Sequence, residues 1–156
     1  MLTQLYSAYL GELYGIAFFQ YFAKNYSDPN YREHWQLLTE IEKITAQSLR
    51  EGLECQGEKC PVHSPQMEAK GIIDAKKWLP LPRNELIKTM IEWVAPYQAR
   101  YQQQFNRATH NKELYKLLSD HENAIYNYLI AESRHDGTDS LVILQRFIAS
   151  LINSEK

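Results

Sequence analysis

Hydrophobic residues recur every three or four positions along most of the chain, and this spacing predicts amphipathic helices. It predicts a first helix from about residue 2 to 25 and a second helix that begins after Pro29 and continues to about Glu51, where Gly52 stops it. Asp28 followed by proline is typical of a helix N-terminus. Because the turn between the helices is short, we expect them to fold back on each other as an antiparallel hairpin.

The second half of the chain predicts another hairpin, reached through a long connection. Residues 53–83 form this connection, in which Ser64 starts a short helical pattern. Asn84 can cap a third long helix, which should run to about Ala108. Pro96 lies inside this helix and removes one backbone hydrogen bond, so it should kink or locally open the helix near its middle.

A fourth long helix should begin near Lys112 and end at His135-Asp136-Gly137, and Asp139 or Ser140 should cap a final helix. No strand pattern competes with these helices. Two hairpins joined by a long connection predict an all-α fold, namely a four-helix bundle with a long crossover between helices two and three and an additional C-terminal helix. We expect residues 1–156 to form a single domain.

Composition and charge exclude several classes of function. The 156 residues carry a formal net charge of -2 and are 44% hydrophobic, so there is no basic excess for nucleic-acid binding. No apolar run approaches the ~20 residues needed to cross a bilayer, and no secretion signal is visible. We expect a cytoplasmic protein with no nucleic-acid or membrane partner. A homodimer and a small-molecule or protein partner stay open.

The two cysteines, Cys55 and Cys60, both lie in the long connection, close to His63. A structural zinc site usually takes four protein ligands, and this segment has three candidates. A disulfide or redox pair is a second alternative. We favour two ordinary loop thiols.

Two glutamates on the apolar faces of the first hairpin are the main candidates for chemistry. Glu12 and Glu42 lie at similar distances from the turn, so antiparallel helices would place them at nearly the same height. Two facing buried carboxylates need a proton, a cation or a metal between them. Gly11 and Gly15 interrupt the first helix, which indicates close backbone approach or room beside Glu12, or else tolerated defects.

In the second hairpin, Tyr97 and Gln98 should lie level with His121 and Glu122, again at mid-helix height. Bundles bury metal and cofactor sites in such a layer, because facing helices supply converging ligands. The chain here resembles the ferritin-like superfamily, which includes ferritins, rubrerythrins and related di-iron carboxylate proteins. The resemblance covers most of the chain and is carried by the segments Gly11–Tyr14, Leu38–Thr45 and His121–Ile125.

The superfamily's metal pattern is one Glu from each of two helices and Glu-x-x-His from each of the other two. By this resemblance, Glu12, Glu42 and Glu122 match three of the glutamates. Thr45 and Ile125 stand where the two histidines should be. The resemblance therefore implies a degenerate di-iron site, and we expect no rapid oxidation of ferrous iron.

The remaining donors are less well defined. On the third helix Glu92 has the wrong helical phase, and Gln98 or Tyr97 is better placed to face inward. His121 could turn inward and complete a mononuclear or altered site, or it could be a partly exposed or hydrogen-bonded residue. The candidate metal ligands are Glu12, Glu42, His121 and Glu122. The alternative is a vestigial hydrogen-bonded network of these carboxylates with tyrosines and Gln98.

Glu132 could form a second polar layer, or it could be an end-of-helix carboxylate paired with Arg134 or another cation. Two functions follow from these candidates. The favoured one is a ferritin-like bundle with a degenerate di-iron carboxylate site and a non-catalytic binding or structural role. The other is a metal-binding, oxidoreductase-like protein, so enzymatic activity is left open. The expected cofactor is none or a non-standard metal, iron or manganese.

Overall fold

The computed structural model describes residues 2–134 and 139–154, which form six α-helices and one 3₁₀ turn and contain no strand. The all-α prediction is confirmed, whereas the ferritin-like bundle arrangement stays a prediction. No helix in the described ranges is long and apolar enough to cross a membrane. The elements are α1 (Leu2–Asn25), the 3₁₀ turn (Pro29–Tyr31), α2 (Arg32–Glu54), α3 (Pro65–Trp78), α4 (Arg83–Arg107), α5 (Lys112–Arg134) and α6 (Ser140–Ser154).

The chain divides into two compact units, Met1–Pro80 and Leu81–Lys156. In the first unit, α1 packs against both α2 and α3. Aromatic rings fill these contacts, because Phe22 stacks on Trp35 of α2 at 4.5 Å between ring centroids and Phe18 meets Trp78 of α3 edge-on at 5.5 Å. The prediction that residues 1–156 form a single domain stays a prediction.

The turn between α1 and α2 forms as the sequence predicts, but the end of α2 does not. The Asp28 side chain accepts a hydrogen bond from the Asn30 backbone N–H at 3.0 Å. Gly52 does not stop α2, which continues to Glu54. The chain turns instead at Gly57, whose φ of 86° lies in the left-handed region that favours glycine.

The long connection contains α3, at the position that the sequence predicts. The Ser64 hydroxyl accepts from the Met67 N–H at 3.4 Å, and the Glu68 carboxylate accepts from the Ser64 N–H at 2.8 Å. This reciprocal pair satisfies N–H groups at the start of the helix. Gly71 then brings α3 against α1, since a Cβ there would lie 2.5 Å from the Tyr14 carbonyl oxygen.

In the second unit, α5 packs against α4 and α6. Helix α4 begins at Arg83 with Pro82 at the N-cap position, so the prediction that Asn84 caps it is wrong. The helix continues through Pro96. All four of its buried residues precede this proline, and they are Leu86, Ile87, Met90 and Val94.

Helix α5 begins at Lys112, as predicted. Its predicted end at residues 135–137 lies outside the described residues. The predicted cap of the final helix is confirmed, because the Asp139 carboxylate accepts from the Leu141 backbone N–H at 3.1 Å.

Candidate metal centre

Glu12 of α1 and Glu42 of α2 lie together inside the first unit. Both are buried, with 4% and 6% of their surface exposed, and they offer carboxylate oxygens within 4.8 Å of each other. The apolar faces of α1 and α2 meet in the hairpin, and each glutamate falls within the apolar repeat of its own helix. The two side chains therefore converge, as their spacing from the turn predicts.

Two oxygens this close suit a single metal ion. Divalent cations bind carboxylate oxygens at ~2.0–2.6 Å, so one ion between Glu12 and Glu42 can contact both side chains. Such an ion would also offset the repulsion between two buried negative charges. Oxygen donors of this kind suit Mg²⁺, Ca²⁺ and Mn²⁺. The donor set of the first unit is thus compatible with a hard divalent cation.

Thr45, at the position where the resemblance leads us to expect a histidine, is fully buried on α2. Gly15 of α1 makes room for the Glu42 carboxylate, which lies directly against its backbone. The sequence indicated close approach at this glycine. The sequence led us to expect the glycines of α1 to make room beside Glu12, but the carboxylate next to Gly15 is that of Glu42.

The two candidate ligands on α5 differ in burial, and the histidine, which one alternative expected to be partly exposed, is the more buried of the two. His121 is fully buried, whereas 14% of the Glu122 side chain is exposed. The His121 Nε2 lies 3.9 Å from the Glu122 Oε1, and its ring meets Phe147 of α6 edge-on at 6.3 Å between centroids. His121 is therefore not the partly exposed residue of the simpler alternative. Ile125 is buried, as the apolar phase requires.

The polar residues of α4 contact α5 rather than forming a carboxylate layer. Gln98 donates to the Asn123 side-chain oxygen at 2.9 Å, while Tyr97 is 39% exposed. Of these two residues, Gln98 is therefore the one that faces α5. Glu92 is exposed, as its helical phase predicts.

Glu132 is paired with a cation, but the cation is Arg83 at the start of α4 and not Arg134. Its Oε2 accepts from the Ser140 hydroxyl at 3.1 Å, and its Oε1 lies 3.4 Å from the Tyr128 hydroxyl, which donates to it. Burial, followed by the negative charge of Glu132, raises the pKa of Tyr128 well above its ordinary value. Tyr128 therefore stays protonated and remains a donor. No local sequence signal identifies Arg83, because it is remote from Glu132 along the chain.

A cleft of about 380 Å³ lies beside this ion pair, between the start of α4 and the end of α5. Ile87 and Ile91 contribute apolar surface, and Arg83 and Glu132 contribute charge. Small-molecule sites commonly have volumes of ~300–1,000 Å³. The cleft is thus at the small end of that range.

Other predicted candidates have local structural roles. The Tyr9 hydroxyl donates to the Pro61 carbonyl oxygen at 2.5 Å and so ties α1 to the connection. Cys55 is an exposed thiol and Cys60 a buried one. Burial raises the pKa of Cys60, which disfavours the reactive thiolate.

Comparison of the chain with models of known protein families, with curated proteins and with solved structures found no match.

Proposed function

We propose that this protein is a ferritin-like bundle whose first unit binds a divalent metal ion between Glu12 and Glu42, in a binding or structural role rather than a catalytic one. The observation that supports it is the pair of buried carboxylates with oxygens within 4.8 Å. A bound cation would lower the free energy of the folded state, because it binds only where the two helices bring the carboxylates together.

The ferritin-like pattern draws further donors from the second hairpin. Thr45 and Ile125 supply no imidazole, so the proposal is a site for iron or manganese without rapid ferrous oxidation. A stopped-flow trace with fast stoichiometric oxidation would establish the oxidoreductase alternative instead.

The metal proposal is tested with protein purified without a metal-affinity tag. We expect elemental analysis to find iron or manganese, and added Mn²⁺ to lose its free-ion EPR signal on binding. Mn²⁺ at 100 times its dissociation constant should stabilise the protein by about 2.7 kcal/mol, and a chelator should reverse the effect.

Glu42→Gln and Glu12→Gln should each weaken Mn²⁺ binding at least tenfold, because each removes a charged oxygen donor. Glu40→Gln is the matched control, since Glu40 is exposed on the same helix. Absence of Mn²⁺ and Fe²⁺ binding to the unaltered protein, or equal effects of Glu40→Gln and Glu42→Gln, would refute the proposal.

A second candidate function is small-molecule binding in the cleft of the second unit. It is supported by the cleft's apolar surface beside the partly buried Arg83–Glu132 pair. Thermal-shift screening of small carboxylic acids tests it, with Ile91→Glu as the variant that should abolish any positive shift.

A further inference from the structure

Two glycines of α1, Gly11 and Gly15, differ in what surrounds them. A Cβ at Gly11 would meet no atom within 4 Å. A Cβ at Gly15 would lie 2.7 Å from Cδ, 2.7 Å from Oε2 and 2.9 Å from Oε1 of Glu42. These separations are too short for non-bonded carbon and oxygen atoms. The Glu42 carboxylate can hold its position only because residue 15 has no side chain.

The three distances also give the orientation of the carboxylate. A point nearly equidistant from Cδ and both oxygens at these distances cannot lie in the plane of the carboxylate, so it lies above that plane, on the side of the two oxygens. The Glu42 carboxylate therefore lays its face on α1. Because carboxylate lone pairs lie in the plane of the group, they point along the surface of α1 and not into its backbone. Glu12 lies three residues before Gly15, on the same face of the helix.

We propose that Gly15 is a positioning residue, which lets Glu42 lie flat on α1 with both oxygens directed along the helix as chelating donors beside Glu12. This inference rests on the proposed metal site. A methyl group at residue 15 would push the carboxylate off α1 and rotate its oxygens away from that plane. The displaced atoms are the end of a flexible side chain, so the helices themselves can stay in place.

The test compares Gly15→Ala with Gly11→Ala. We expect Gly15→Ala to keep its helical circular dichroism and to bind Mn²⁺ at least tenfold more weakly by EPR titration. Gly11→Ala should bind Mn²⁺ within twofold of the unaltered protein. Its melting temperature should rise by about 2–4 °C, because alanine favours the helix interior. Equal Mn²⁺ affinities for the two variants would overturn the proposal.

A second variant changes Glu42 instead of Gly15, so the contact can still be tested if Gly15→Ala fails to fold. Glu42→Asp keeps the charge but withdraws the carboxylate from Gly15 by one methylene. We expect at least a tenfold loss of Mn²⁺ affinity, with Glu40→Asp as the exposed control. Unchanged affinity in Glu42→Asp would also overturn the proposal.

Melts in chelator separate this inference from the metal proposal. Gly15→Ala should raise the melting temperature more in a Glu42→Ala background than in the unaltered protein, because the clash is then removed. An equal change in both backgrounds would overturn the role of Gly15. Failure of the unaltered protein to bind Mn²⁺ would instead overturn the proposed function. The difference in the effect of Gly15→Ala between the two backgrounds would still decide whether Gly15 positions Glu42.

Discussion

The two helical units handle buried charge in opposite ways. In the first unit, Glu12 and Glu42 bring two like charges together across α1 and α2. In the second, Glu132 is matched by the Arg83 guanidinium and by two hydroxyl donors. A charge that is paired and hydrogen-bonded satisfies the requirements for burial within the protein. The first unit instead brings two carboxylates within 4.8 Å of each other, which is an arrangement that one divalent cation can bridge.

The neutral contacts of the second unit show the same difference. Gln98 bonds Asn123 at 2.9 Å, and the Ser119 hydroxyl donates to Gln102 at 3.1 Å, both across α4 and α5. These pairs join polar groups without net charge, so they hold the helices together without a cation. Polar residues at mid-helix height therefore do not by themselves indicate a metal site.

The largest effect that we expect concerns the packing of the first unit. Gly71→Ala places a Cβ 2.5 Å from the Tyr14 carbonyl oxygen and 3.2 Å from the Phe18 backbone nitrogen. Backbone atoms cannot move aside as the Glu42 carboxylate can, so α3 must separate from α1. We expect a loss of about 3 kcal/mol in the free energy of unfolding, measured in urea. Gly11→Ala, the open position on α1, should instead gain up to about 1 kcal/mol. A neutral Gly71→Ala would contradict the close packing of α3 on α1.

The next effect tests whether charge pairing stabilises the second unit. Glu132→Gln removes the charge that faces Arg83, and both side chains are mostly buried, at 17% and 16% exposed. We expect a loss of about 2 kcal/mol, below the 3–5 kcal/mol typical of fully buried pairs. Asp120→Asn is the control, because its pair with Lys116 is exposed and should contribute less than about 0.5 kcal/mol. If both variants lost the same free energy of unfolding, the buried Glu132–Arg83 pair would stabilise the protein no more than an exposed pair does.

A glutamate-to-glutamine substitution in the first unit should change the free energy of unfolding in the opposite direction. In chelator, Glu42→Gln removes one of two like charges while keeping the shape of the side chain, so we expect no loss, or a gain of up to about 1 kcal/mol. With Mn²⁺ present, the variant should lack the metal-dependent stabilisation of the unaltered protein. Urea unfolding with and without chelator measures both effects. A loss in chelator as large as that of Glu132→Gln would mean that Glu42 is a structural hydrogen-bonding residue.

The sequence predicted helix positions well because they depend on local signals. The start of the 3₁₀ turn that leads into α2 follows from Asp28-Pro29, and the start of α3 follows from Ser64-Pro65. The level placement of Glu12 and Glu42 follows from helical rise and phase. The end of α2 was misplaced at Gly52, because a glycine is tolerated inside a helix that tertiary contacts support.

Contacts between residues remote in sequence could not be predicted in the same way. Arg83 has no local feature that assigns it to Glu132 rather than to solvent. Gly15 signals close approach, but periodicity alone does not say which side chain approaches it. The relative burial of His121 and Glu122 depends on how α5 packs against α6, since adjacent helical residues differ by only about 100° in direction.

The smallest effect concerns Tyr128, whose hydroxyl completes the polar contacts of Glu132. Its pKa in the folded protein is raised above the unfolded value of about 10. The folded state therefore keeps the proton while the unfolded state loses it, so the stability from this group is full below about pH 10 and falls as pH rises above it. At pH 8 we expect Tyr128→Phe to cost about 1 kcal/mol, the value of one hydrogen bond. The difference from the unaltered protein should shrink from pH 10 upward, since phenylalanine has no proton to lose. A Tyr128→Phe difference that stays constant up to pH 11 would show that the hydroxyl titrates alike in both states, and that the second unit does not hold it as a buried donor.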